Sequence, residues 1–246
     1  DIAATSVLVG VLQKEDKAAE AIELLKKATA VNKQETALRM LLVEIYRRQK
    51  DVAGIEAVYR ELFVIDPKNV SYRTDLARFL VAFDKKDEAE SVLREMIAAM
   101  PDSNSPKLVL IDFLSNQRSV EQAEGALKAF IESAPENADL KFGLAQLYMK
   151  HSQADKAEAT LRAIEAGSKA KPIVIRARTA LARLRLAKGD TAGATALVKQ
   201  VLAEEAASPD ALVIRARLIL AEDKRDQAIA DLRQVLRDNP GNTEAL

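Results

Sequence analysis

Residues 70–102 read VSYRTDLARFLVAFDKKDEAESVLREMIAAMPD, and the informative residues in this stretch stand at set intervals. Counting from Val70, the eighth position is the small Ala77, the eleventh Leu80, the twentieth Ala89, the twenty-fourth Leu93 and the thirty-second Pro101. The polar cluster Asp84-Lys-Lys-Asp87 separates two apolar halves, as a turn between two helices would. Pro101 lacks an N–H and disfavours helical geometry in the residue before it, so it ends the second half.

The same order recurs along the whole chain. Small or aliphatic anchors fall 34 residues apart at Ala21, Ile55, Ala89, Ala123 and Ala157, then at Ala194 and Ala228. Units therefore start near Ile2, Thr36, Val70, Asn104, Ala138, Ile175 and Pro209, and 243–246 reads as the start of a further, truncated unit. The eleventh position holds Leu12, Tyr46, Leu80, Leu114, Tyr148, Arg185 and Ile219; the twenty-fourth holds Leu25, Tyr59, Leu93, Leu127, Leu161, Val198 and Leu232. Arg185 alone breaks these columns. Within the halves the apolar residues keep helical spacing, as in Leu38, Leu41, Leu42, Ile45 and Tyr46, so each unit is expected to be two antiparallel helices. Pro67, Pro135 and Pro240 repeat the role of Pro101, while Pro172 and Pro209 stand near helix starts, where the missing donor would be unpaired anyway. Between the fifth and sixth units the spacing lengthens to 37, and the three added residues are placed in a surface loop at 167–172, with a hinge as the alternative. Loop lengthening costs only about 0.6 kcal/mol per doubling.

Composition removes several classes of function. The 37 basic residues balance 37 acidic ones, which argues against a general nucleic-acid or anionic-membrane binder. Cys is absent, which excludes disulfides, thiolate metal sites and thiol nucleophiles. No apolar run of about 18 residues occurs, so no membrane insertion by this segment is expected. The opening Asp1-Ile2-Ala3-Ala4 carries no targeting signature, and the ends read as those of a piece cut from a longer array.

Catalytic chemistry finds little footing. The single His151 falls in a turn beside Ser152 and Gln153, and is read as a solvated turn histidine, with no second His or Cys to build a metal site or triad. No HExxH, GxGxxG or GxxxxGK[ST] string is present. Glu204 and Glu205 are adjacent on a helix and point apart, unlike paired glycosidase carboxylates. No enzyme activity, cofactor or metal is expected of this segment.

The period, the small eighth and twentieth positions, the aromatic or aliphatic eleventh and twenty-fourth, and the terminal Pro together resemble the tetratricopeptide repeat. The resemblance covers essentially the whole chain, most strongly in 70–102 and 209–240. It implies an all-α fold, a right-handed superhelical solenoid of about seven antiparallel helix pairs forming a single domain over 1–246. It also implies that first-helix positions two, five, six, nine, twelve and thirteen face a concave groove. Those positions hold Glu44, Arg47 and Arg48; Thr74, Asp75 and Arg78; Asp112, Ser115 and Asn116; Phe142, Gln146, Met149 and Lys150; Arg176, Thr179 and Arg183; and Asp210 and Arg217.

Arg78, Arg183 and Arg217 share the ninth position, and two readings of them stand: a cationic ladder for carboxylates, or solvated arginines paired with acids. Arg178 and Arg185 point elsewhere and are read as the latter. The two-carboxylate clamp of chaperone-binding relatives is not reproduced, since Ser6 and Gly10 stand where its first residues would be. Phe142 and Met149 either supply an apolar pocket or cover neighbouring helices. The leading expectation is a non-catalytic scaffold that binds a segment of another protein. The alternative is a bacterial envelope component of polysaccharide export, binding another export component or an acidic glycan. Compartment stays open between cytoplasm and envelope, with the envelope slightly favoured, and self-association through exposed end faces is expected to be an artefact of the cut.

Overall fold

In a computed structural model, residues 2–246 form fourteen α-helices among the described residues, joined in antiparallel pairs. The pairs are α1 (Ile2–Lys14) with α2 (Ala18–Val31), α3 (Thr36–Gln49) with α4 (Val52–Ile65), and α5 (Val70–Ala82) with α6 (Lys86–Ala99). They continue with α7 (Asn104–Gln117) and α8 (Val120–Ser133), α9 (Ala138–Lys150) and α10 (Ala154–Gly167), α11 (Lys171–Ala187) and α12 (Thr191–Glu204), and α13 (Pro209–Leu220) and α14 (Arg225–Asp238). The fold is all-α, built from consecutive helices packed in pairs. It divides into two compact units, Asp1–Ala123 and Glu124–Leu246.

The columns are the core. Ala21, Ile55, Ala89, Ala123, Ala157, Ala194 and Ala228 are all buried, as are Leu25, Tyr59, Leu93, Leu127, Leu161 and Val198. A small anchor lets the paired helices approach closely, and the larger residue four positions later, one turn on, fills the space between them.

Each hairpin turns on one residue. Asp16, Lys50, Asp84, Ser152 and Asp223 have φ of 58–60°, and Gly189 has φ 81°, all at the fifteenth position of their units. The equivalent Arg118 departs, with φ −123°. Next to this residue the second helix is capped where the sequence permits: Asp51 accepts from the Gly54 N–H at 2.9 Å, and Asp190 from Gly193 at 2.8 Å.

Two expectations are corrected. The added residues at 167–172 do not make a long loop: only Ser168, Lys169 and Ala170 lie outside helices, and α11 starts at Lys171, four residues before Ile175. The insertion is absorbed mainly as an extra turn on a 17-residue helix, because Pro172 near its start forfeits no intrahelical bond. His151 lies in the turn after α9 as expected, but it is not solvated. It caps α9 half-buried, with Nε2 enclosed and unpartnered among the described residues.

Candidate functional site

In the compact unit Asp1–Ala123, positions expected to face a groove are largely tied to residues of their own helices. Arg47 and Arg48 donate to Glu44, with closest distances of 2.8 and 3.3 Å, and hydrogen bonding from Arg47 holds the Glu44 carboxyl below the usual carboxylate range. Arg78 pairs with Asp75 at 2.9 Å on its own helix and is largely exposed. The Thr74 hydroxyl donates to the Val70 carbonyl, and Asn116 donates to Asp112 at 3.1 Å. Thr74, Arg78, Asp112 and Asn116 border a shallow depression of ≈ 190 Å³ floored by Ala77 and Leu93.

The second unit holds a larger cavity. Phe142, Gln146 and Met149 from α9 and Arg176, Thr179 and Arg183 from α11 line a groove of ≈ 570 Å³ with Ala145, Leu161 and Ile175 beneath. These side chains converge because each stands at an i, i+3 or i+4 step along one helix face. Phe142 borders the groove but is only 7% exposed: the Arg176 guanidinium lies 4.0 Å from its ring centroid and covers it. Met149 is 39% exposed and supplies the accessible apolar surface. Thr179 is buried, and its hydroxyl donates to the Ile175 carbonyl one turn back.

The cations of this groove have internal partners. Arg176 pairs with Asp139 at 2.6 Å and Arg183 with Asp210 at 2.9 Å. Glu244 lies between Arg183 and Arg217, at 3.3 and 3.4 Å. Of the three ninth-position arginines, the second unit brings Arg183 and Arg217 onto one carboxylate, while Arg78 belongs to the other unit. Arg178 is held by Glu165 and Glu204, and Arg185 by Glu158 and Asp190.

The sequence reading missed a set of acids on the second helices. Glu90 accepts from Arg94 and Arg118; Glu124 accepts from Lys128 and Lys156; Glu158 accepts from Arg162, Arg185 and Lys188. Each acid directly follows a buried alanine anchor and has a cation four residues later, a signal present in the sequence. Arg185 breaks its apolar column because its head reaches this set. Hydrogen bonding from Arg162 and then Lys188 lowers the Glu158 pKa to about 2, and bonding from Lys128 lowers that of Glu124 to about 2.

Comparison with known proteins agrees with this geometry. Two tetratricopeptide repeat family models match, one over residues 114–170 and the other over 179–243. No curated protein sequence is significantly similar to the chain. Among solved structures, a tetratricopeptide repeat protein from Parabacteroides merdae is 18% identical with a TM-score of 0.55, covering 98% of this chain and 94% of its own. Yeast Tom70 is 14% identical with a TM-score of 0.58, covering 93% of this chain and 56% of its own, so the chain spans little more than half of Tom70. At these identities the likeness is one of fold.

Proposed function

We propose that this chain, which belongs to the tetratricopeptide repeat family, is a non-catalytic protein-interaction scaffold that holds a segment of another protein in the groove of Glu124–Leu246. The observation that carries the reading is the ≈ 570 Å³ groove itself, with exposed Met149 and partly exposed Ile175 beside the Arg176 and Arg183 guanidinium groups. An apolar strip bordered by fixed donors suits a peptide, whose side chains fill the strip and whose carbonyls or carboxylates meet the arginines. An acidic glycan is less well suited. Arg176, Arg183 and Arg217 already face Asp139, Asp210 and Glu244, so a uronate would have to displace carboxylates without burying apolar surface of its own.

The test is affinity capture from cell extract with wild type, Met149→Glu and Arg183→Glu, each verified as folded by circular dichroism. The expected result is a protein retained by wild type and lost by both variants. Equal capture by all three would move recognition away from this groove.

A further inference from the structure

A repeat protein contains its own control, because each column shows what the fold requires at that position. The seventh position of the first six units is leucine throughout, at Leu8, Leu42, Leu76, Leu110, Leu144 and Leu181; in the seventh unit it is Arg215. The twenty-third position, across the hairpin, holds Val58 and Val92 in the second and third units; in the seventh it holds Asp231. Arg215 and Asp231 meet through two parallel bonds, Nε to Oδ2 at 2.7 Å and Nη2 to Oδ1 at 2.6 Å. Asp231 is only 5% exposed.

Packing does not call for this exchange. Replacing an apolar pair by a buried ion pair is often neutral or destabilising, because desolvating two charges offsets their attraction. The pair does place a guanidinium at one wall of a second cavity. Arg215 lines a space of ≈ 580 Å³ between α12, α13 and α14, and its Nη1 has no partner among the described residues. Val198, Leu202, Leu218 and Ile219 form the apolar walls. Lys224 is paired with Glu222 at 2.5 Å, and Lys199, on the same cavity wall, acts on Glu222 from a longer distance. The charges at this cavity sum to one surplus cation: Arg215 balances Asp231, and the single carboxylate of Glu222 is shared by Lys224 and Lys199.

We infer that the α12–α13–α14 cavity is a binding site for a monoanionic carboxylate carried on an aliphatic body, its carboxylate taken by Arg215 Nη1 and Lys199 and its chain by the Val198–Leu218 wall. An aliphatic acid and a peptide ending in a free leucine carboxylate share this chemistry. A cavity with apolar walls and a few convergent donors is the form such sites take. The asymmetry of Arg215, with its Nε edge held by Asp231 and Nη1 left over, orients the free donors. This site is separate from the groove of Phe142 and Met149, and neither reading depends on the other.

The test is isothermal titration of the full chain with octanoate, octanamide, and acetyl-Ala-Ala-Leu as free acid or carboxamide. Saturable binding of at least one acid, with its amide weakened about tenfold or more, is expected from loss of a charge-assisted bond. Octanoate alone binding identifies an aliphatic acid as the source; the peptide acid alone identifies a chain terminus. The variant R215L/D231V restores the residues of the second and third units, so it should fold with an unchanged or higher melting temperature and lose about tenfold or more in affinity. Lys199→Gln, at an exposed site, should fold in any case and weaken each acid that binds at least about threefold. Absence of saturable heat for both acids, equal binding of acid and amide, or full affinity in Lys199→Gln would overturn the assignment.

Discussion

The Arg185 guanidinium occupies the volume that a side chain at Gly193 would need. A Cβ built on Gly193 would collide with Arg185 Nη1 and with the capping carboxylate of Asp190. The second unit of the repeat shows the same device with an aromatic residue: a Cβ at Gly54 would fall 2.6 Å from Tyr46 Cδ1. In both hairpins the eleventh residue lies across the first turn of the second helix, and glycine there makes the room.

Alanine should therefore destabilise at these positions although it is the better helix former. Gly54→Ala should cost about 1–3 kcal/mol through overpacking against the buried Tyr46 ring, and Gly193→Ala less, because the end of the Arg185 side chain can swing aside. Gly125, inside α8 with nothing within 4 Å of its Cβ position, should gain about 0.5–1 kcal/mol as alanine. Urea unfolding of the three variants would check the reversal of sign.

Acid should weaken the second unit within a defined window. The folded-state pKa values of Glu124 and Glu158 are lowered from 4.5 to about 2. Their contribution is thus complete above about pH 4.5 and disappears as pH falls towards 2. Solvent screening at these partly exposed acids keeps each to about 1 kcal/mol. Glu158→Gln should be less stable than wild type at pH 7 and nearly equal to it at pH 2.5, measured as denaturant midpoints.

Asp231 should be needed by Arg215 more than by the fold. Asp231→Ala leaves the guanidinium in a half-buried position without its partner and should cost about 1–3 kcal/mol, below the range for fully buried pairs because Arg215 is 35% exposed. A melting curve of this variant beside that of R215L/D231V would separate loss of a partner from loss of an ion pair.

Core and groove should respond differently. Leu93→Ala and Leu161→Ala each remove a buried side chain and should cost about 2–5 kcal/mol. Arg183→Glu loses only exposed pairs with Asp210 and Glu244, and should cost about 1 kcal/mol or less. Comparable destabilisation in a thermal melt would mean that Arg183 is part of the packing.

Helix pairing was legible in the spacing of Ala77, Leu80, Ala89 and Leu93 and in Pro101, because burying one face of a 3.6-residue helix imposes a period that survives in the sequence. First helices begin at Ile2, Thr36, Val70, Asn104, Ala138 and Pro209 for that reason. The start of α11 at Lys171 was not legible, since a helix extended outward by one solvent-facing turn adds no apolar position to the pattern. The groove residues were identified by face alone. Periodicity assigns a side chain to a face; it does not say which of several acids within reach a long cation will meet. Arg176 over Phe142, Arg183 on Asp210 and Glu244, and Arg185 on Glu158 are separated by 27 to 61 residues, or by 34 in the ring contact. Those pairings depend on distances between helices of different repeats. The sequence by itself determined the repeat, its core and its turns, because those follow from local burial; only the tertiary structure decided which charges meet, because those distances are set between helices.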